Sequence, residues 1–398
     1  MDERDAMQLA IASAQSVEGR TCPRPAVGAV VIRDGNVVGK GATSPPYGPH
    51  AEIHALAQAG DAARGADLYV TLEPCCITIH TPPCTNAIIA AGVRRVFIGT
   101  LDPNPRVYLQ GVEQLRAAGI EVVTGVRSNE CAELVRPFAL FINKGRPYIT
   151  AKWAMTLDGK LATRTGDAYW ISGPASRVWV HNLRDRVDAI LIGSGTAYAD
   201  NPQLTVRLGA GQREHERAAR SGPLRVVLAT NGMSEQKLHL LQPELATGTC
   251  IIIGESCPRE QYQRLEDCGV EVLQVSNDRD GRVDMLAALE ALAYKGNMHV
   301  LLEGGAKLLG TAFDQSLIDH VAVFIAPKLI GGAQAPAPLQ GIGRAKMQEA
   351  SHLQHLSTKM IDGDMLIEGE IIQARDIGPQ DELRPASHYP DSLVPRDP

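Results

Sequence analysis

The sequence predicts an α/β protein built as two domains in series, each a sheet with helices packed on its faces. Three observations carry that expectation. The chain has 398 residues, long for one hydrophobic core. Short apolar runs of strand character alternate with segments of helical period along most of its length. Between two such series lies "RPFALFINKGRP" (136–147), which reads as a hinge.

In the first series, residues 4–17 repeat apolar side chains at Met7, Ala10, Ile11 and Ala14, a helical period. "AVGAVVI" (26–32) and "VVGKGA" (37–42) are strands joined by a turn on Asp34-Gly35. After the loop "TSPPYGP" a helix starts near Ala51. A strand follows at 67–72, a helix near 84–92, a strand at 94–99, a helix at 111–118 and a strand at 120–125. That β-β-α-β-α-β-α-β order specifies a mixed sheet. In the second series strand-like runs recur at 148–155, 188–193, 224–230, 249–254, 270–275, 299–303, 320–327 and 364–372, with helical patterns between most of them. The final 24 residues or so are polar and proline-rich, either poorly ordered or an arm laid on a partner.

An apolar fraction of 44% and a charged fraction of 21% are those of an ordinary globular protein. A formal charge of −6 argues against a nucleic-acid partner, which usually needs a basic face. No apolar run is long enough to span a membrane, and the acidic, amphipathic start "MDERDAMQLAIASAQ" is unlike a secretory signal, so a cytoplasmic protein is expected. Eight cysteines with no dense framework fit a reducing compartment. Cys22, Cys131, Cys250, Cys257 and Cys268 read as small buried apolar residues.

"EPCCITIHTPPC" (73–84) is where the sequence becomes chemically specific. Upstream, His50-Ala51-Glu52 opens the second helix; Pro74-Cys75 follows a strand, and Cys84 opens the next helix. Three N/S ligands leave one tetrahedral zinc position open, as catalysis requires. Zinc lowers the pKa of bound water to about 7. Helix N-termini favour thiolate, and a glutamate two residues after a ligand can shuttle protons. The zinc-deaminase pattern is H-x-E…P-C-x-x-C. Here the second cysteine lies nine positions on rather than three, so the residues alone leave a metal site and a chance cluster both open.

Longer stretches add a resemblance. "GAVVIRDGNVVGKGATSPPYGPHAEIHAL", "VTLEPC…TPPCTNAIIAAGVRRVFIGTLDPNPRV" and "GVEQLRAAGIEV" closely resemble the deaminase half of the bifunctional riboflavin-biosynthesis deaminase/reductase family, of the ribD type. "RPYITAKWAMTLDGKLAT", "WISGPASRVWVHNLRDRVDAILIGSGTAYADNPQLTVR" and "LLEGGAKLLGTAF…IAPKLIGG" resemble its reductase half. The likeness covers residues 1–372, in order, and in that family a Cys-to-Cys spacing of nine is normal. It implies a cytidine-deaminase-like three-layer α/β/α domain (1–145), a dihydrofolate-reductase-like α/β domain (146–373) and a tail (374–398). It implies zinc on His50, Cys75 and Cys84, with Glu52 as general acid/base. The implied chemistry is hydrolytic deamination of 2,5-diamino-6-ribosylamino-4-pyrimidinone 5′-phosphate, then NADPH-dependent reduction of ribosyl to ribityl. The family also implies a homo-oligomer.

In the second half, "LIGSGT" (191–196) and "EGGAKLLG" (303–310) place glycines at strand-to-helix turns, where bare N–H groups can meet phosphate, without the Rossmann fingerprint. By resemblance Ala154, Trp170, Thr196, Asp200 and the segment Gly305, Ala306, Lys307, Leu308, Leu309, Gly310, Thr311 line the NADPH site. Arg184, Leu204, Arg207 and Glu303 face substrate, the two arginines suiting a phosphate clamp. Lys152 and Asp158 match family positions that orient the ribose.

The departures from the family cluster in substrate-facing loops. Cys76, Ile77, Ile79 and His80 stand where the family has Ser, His, Gly and a basic residue. Arg24 replaces an asparagine, Tyr108, Leu109 and Gln110 replace small residues, and Ala168 replaces a substrate-contacting serine. Arg24 is either the cation that the loop lost or a surface side chain. Cys76 is a conceivable substitute ligand, although the Pro-Cys match favours Cys75; His54 and His80 read as polar lining. Because the ligands stand intact, a working deaminase with an altered pocket is expected. The competing readings are a paralogue in a branch pathway, such as azapteridine formation, or a reductase with a silent deaminase domain.

Overall fold

The computed structural model describes residues 1–78, 81–215, 217, 221–234 and 237–372. Ile79, His80 and the proline-rich tail lie outside the described residues. The chain forms two compact units, one built on Met1–Gly145 and one beginning at Arg146.

In the first unit the order is α1 (Glu3–Gln15), β1 (Gly28–Arg33), β2 (Asn36–Ala42), α2 (Ala51–Ala59), β3 (Asp67–Leu72), α3 (Cys84–Ala91), β4 (Arg95–Thr100), α4 (Gln110–Ala117), β5 (Glu121–Thr124) and α5 (Ser128–Lys144). The five strands pair in the order β2-β1-β3-β4-β5. β1 runs antiparallel to β2 and β3, whereas β3, β4 and β5 are parallel. Every residue of β3 is buried, as a central strand covered on both faces should be. One face carries Ala51, Ala55, Leu56, Ile88, Val112 and Leu115 from α2, α3 and α4. The other carries Met7, Ala10 and Ile11 from α1 and Cys131 from α5. This is the α/β/α layering expected.

The segment 136–147 is not a hinge along most of its length. Residues through Lys144 continue α5, with Pro137 inside it, and the helix ends at Gly145 with φ +68. An interior proline costs about 3 kcal/mol. Burial of Val135, Ala139, Phe141 and Ile142 from this helix offsets that cost.

The second unit comprises β6 (Tyr148–Thr156), α6 (Pro174–Arg184), β7 (Ala189–Gly193), α7 (Ser194–Asp200), β8 (Leu224–Leu228), α8 (Pro243–Ala246), β9 (Thr249–Gly254), α9 (Arg259–Asp267), β10 (Glu271–Val275), α10 (Met285–Tyr294), β11 (His299–Leu302), α11 (Ala306–Asp314), β12 (His320–Ala326), β13 (His352–Ile361) and β14 (Asp364–Ile372). Nine strands form one sheet, ordered β10-β9-β8-β7-β11-β6-β12-β14-β13. From β10 to β12 all neighbours are parallel; β14 and β13 join antiparallel. Apolar layers cover both faces, one with Met285, Leu289 and Leu309, the other with Leu183, Leu204 and Leu240.

β13 has no counterpart among the strands expected from sequence. It is an edge strand with most residues exposed, and it carries a bulge between Gln354 and Ser357, so it lacks alternating apolar positions. Of the five cysteines expected to be buried, Cys131, Cys250 and Cys257 are, while Cys22 and Cys268 are only half-buried. Among the described residues no helix is long and apolar enough to cross a membrane.

Candidate metal centre and reductase cleft

The first site gathers the start of α2, the turn after β3 and the start of α3. His50 is the N-cap of α2 and its ring makes no capping bond, so it is available as a ligand. The helix lies unusually close to β2 because a β-carbon at Gly41 would fall 2.1 Å from the Ala51 carbonyl oxygen. Cys75 lies in the turn after β3, and Cys84 is the first residue of α3. His50 Nδ1 is 3.5 Å from Cys75 Sγ and 3.3 Å from Cys84 Sγ. The Cys84 backbone N–H, at the head of α3, donates to Cys75 Sγ at 3.3 Å. Helix-end donors of this kind favour thiolate.

Among the described residues His50, Cys75 and Cys84 are the one group of potential ligands whose donor atoms all lie within 4.8 Å of one another. Cys76 is outside that group, and none of the three loop cysteines forms a disulfide. One nitrogen and two sulfurs, with no fourth protein donor grouped with them among the described residues, suit an open tetrahedral zinc position. The Cys84 thiol bonds to Cys75, which holds Cys75 down to about 4 and pushes Cys84 up. Glu52, 3% exposed in the first turn of α2, is raised to about 6, chiefly by burial. Burial likewise raises Asp102 to about 7.

Arg24 is neither a solvated surface side chain nor a simple substitute for the loop's cation. Its guanidinium donates to the carbonyls of Gly48 and Ser44, both at 2.8 Å, and to that of Pro45. It therefore clamps the segment leading to His50. His54 bonds the same segment through Ser44 Oγ at 2.7 Å. Ile77 is half-buried, and His80 lies outside the described residues.

The second site forms between α6, the later half of β6 and the residue that follows β11, its neighbour in the sheet. Strand ends of this kind are where open α/β sheets bind ligands. A cleft of about 510 Å³ is lined by Lys152, Ala154, Ala168, Trp170, Arg177, His181, Arg184, Arg207 and Glu303, among others. The two glycine turns meet beside one another, since the Gly305 N–H donates to Thr196 Oγ1 at 3.0 Å. Parallel pairing of β7 with β11 brings them there.

Several expected residues sit differently from a simple lining. Arg184 forms a bidentate pair with Glu303, both bonds at 2.7 Å, and also donates to the Thr205 carbonyl. The expected two-arginine clamp is therefore not displayed: Arg184 holds Glu303, while Arg207 uses Nη1 on Gln203 and Thr205. Leu204 is 2% exposed and packs in the core at φ +50, away from the residues that line the cleft. In the segment 305–311 the helical period turns Leu309 into the core, and Gly310 lies against the Gln340 backbone. Asp200 closes α7 and is exposed outside the cleft. Asp158 accepts from Thr156 Oγ1 and from the N–H groups of Ile330 and Gly331, which holds it near 2 and ties that loop to the end of β6. Lys152 has its pKa lowered by burial.

Two cleft residues were not singled out in the sequence. Arg177 stacks on Trp170 at 4.4 Å, and His181 Nδ1 accepts the Arg207 backbone N–H at 3.2 Å. Helical spacing in "RVWVHNLR" sets Arg177, His181 and Arg184 on one side of α6, a periodicity that could have identified them.

A deaminase-type metal centre and an α/β reductase cleft on one chain define a two-function enzyme. Residues 1–100 match the cytidine and deoxycytidylate deaminase zinc-binding region, and residues 147–367 match the RibD C-terminal domain. The riboflavin biosynthesis protein RibD of Aquifex aeolicus is 38% identical across 92% of this chain and 97% of its own length. That of Synechocystis is 38% identical across 94% and 97%. RibD of Acinetobacter baumannii superposes with a TM-score of 0.80 at 32% identity, covering 93% of this chain and 99% of that one. A Thermotoga maritima structure, a diaminohydroxyphosphoribosylaminopyrimidine deaminase/5-amino-6-(5-phosphoribosylamino)uracil reductase, gives 0.78 at 33% identity, covering 93% and 98%. The chain belongs to the RibD family of riboflavin-biosynthesis enzymes, which join a zinc-binding deaminase to a reductase.

Proposed function

We propose that this chain deaminates 2,5-diamino-6-ribosylamino-4-pyrimidinone 5′-phosphate and then reduces the product's ribosyl chain to ribityl with NADPH. The convergence of His50, Cys75 and Cys84 beside buried Glu52 is the observation that carries the reading. Residues 1–145 perform the first step and 146–373 the second. His50, Cys75 and Cys84 would hold zinc, which supplies the Lewis acidity to ionise water near neutral pH. Glu52 takes the water's proton and passes protons to the ring nitrogen and the departing amine, so that water enters, ammonia leaves and a ring carbonyl remains.

In the reductase unit the glycine turns at Thr196 and Gly305 support a phosphate-bearing dinucleotide, and Trp170 and Ala154 flank it. Arg207, with Arg184 and Glu303 holding the wall behind it, meets the substrate phosphate. Ala168 offers no hydroxyl there, a loss of about 0.5–1.5 kcal/mol, too small to abolish binding. The exposed apolar residues of the edge strand β13, Leu353, Leu356 and Met360, support a homo-oligomer made through this unit. The enzyme works in the cytoplasm on a free nucleotide, without nucleic acid.

Zinc content and ammonia release on the purified protein test this reading, with the phosphorylated pyrimidinone and its dephosphorylated form offered separately. About one zinc per chain with turnover of the phosphate ester is expected. Zinc with turnover of the dephosphorylated form alone would mean that the altered 76–80 loop has changed the substrate. A protein that binds no zinc would overturn the deaminase assignment.

A further inference from the structure

Glu73 is 3% exposed and lies two residues before Cys75, and its carboxylate meets backbone N–H groups. Its carboxylate is satisfied by backbone. Oε2 accepts the N–H of Asp102 at 3.2 Å and that of Leu109 at 3.0 Å, and Oε1 accepts that of Val112 at 3.2 Å. Gly111 N–H bonds to it as well. Leu109 is the N-cap of α4, and Gly111 and Val112 belong to its first turn. Three of the four donors, those of Leu109, Gly111 and Val112, are thus groups a helix leaves unsatisfied at its N-terminus, and a carboxylate there also meets the positive end of the helix dipole.

Two further contacts close the same joint. The Glu73 backbone N–H donates to Thr100 O at 2.9 Å, at the end of β4. Gly111 presses on the turn so closely that a β-carbon there would lie 2.3 Å from the Pro74 carbonyl oxygen. Leu109 takes a left-handed conformation, φ +61, which costs a non-glycine residue about 1–2 kcal/mol and is held by its bond to Glu73. One buried carboxylate therefore fastens the cysteine turn to the 102–112 loop, where Tyr108, Leu109 and Gln110 depart from the family.

We propose that Glu73 is a positioning residue that sets the place of Cys75 in the metal centre by docking the head of α4 on the cysteine turn. The proposal rests on the zinc-deaminase reading. Its test compares the parent chain with Glu73→Gln and Gly111→Ala, all full length. The first variant turns one acceptor into a donor facing N–H groups; the second leaves the carboxylate and pushes α4 away from Pro74. Zinc affinity is measured by competition with a chromophoric chelator below the melting transition, and the urea unfolding transition of the first unit reports that this unit has folded. Affinity is expected to fall about 10–100-fold in each variant, the range for loss of a group that orients a metal ligand. A folded variant holding zinc as tightly as the parent overturns the proposal, because a residue that only stabilises the fold would lower the melting temperature and leave affinity unchanged. If Glu73→Gln does not fold, Gly111→Ala decides alone. A parent without zinc would instead overturn the reading on which the proposal rests.

Discussion

Arg24 spends its charge on the chain that leads into the metal centre. Its bonds to Ser44, Pro45 and Gly48 fix a proline- and glycine-containing loop that forms no helix or strand of its own. Replacing it by alanine leaves those carbonyls without their donor. Arg24→Ala should destabilise the deaminase unit by about 1–2 kcal/mol in urea denaturation. An unchanged midpoint would show that the clamp contributes nothing. Glu52→Gln belongs to the same scale but acts on chemistry. It should reduce ammonia release by about 10²–10⁴-fold while zinc content, and NADPH oxidation with deaminated product supplied, stay at parent levels. Parent-like deamination in that variant would remove Glu52 from the proton path.

Between elements, the Arg184–Glu303 pair joins the last turn of α6 to the end of β11 with little exposure on either side chain. Breaking a buried pair strands a charge. Arg184→Met should therefore cost about 3–5 kcal/mol, and Arg184→Met with Glu303→Leu should recover much of it. Reductase activity should remain lost in the double variant; its recovery would make the pair purely structural. At this scale the sequence was informative where local pattern and packing agree. The hydrophobic strands β3, β7, β9 and β11 and the turn at Asp34-Gly35 were legible because each has its own short-range pattern. His50, Glu52, Cys75 and Cys84 were recognisable by residue type, although only the fold brings 50 next to 75 and 84. Glu73 was invisible as a cap, because its donors lie 29 to 39 residues away. Leu204 and Leu309 could not be sorted into core or cleft by family position, since a helical or loop register decides which way each side chain turns. The end of α5 read as a hinge because Pro137 and Gly145 punctuate it, while tertiary burial carries the helix past the proline.

Across the whole molecule, acid stability should reflect histidines held neutral in the reductase unit. Burial, with Arg184 and Arg207 nearby, lowers His181 to about 4 against an opposing pull from Glu303. Burial, with Arg186 and His320 nearby, lowers His299 to about 3, where it shares a 2.9 Å bond with Thr150 and packs against Tyr148. Between those values and about 6.5 the unfolded chain binds the extra protons, so stability falls as pH falls through that window. His181→Asn should flatten the decline in melting temperature between about pH 6.5 and 4; an unaltered slope would place the acid sensitivity elsewhere. One chain performs both steps in sequence. The most direct test supplies the phosphorylated diaminopyrimidinone and NADPH to the zinc-loaded protein and follows ammonia and NADPH in the same sample. One ammonia released and one NADPH oxidised per substrate are expected, with ammonia appearing first and oxidation arrested in Glu52→Gln until deaminated product is added. NADPH oxidation without ammonia release would contradict it.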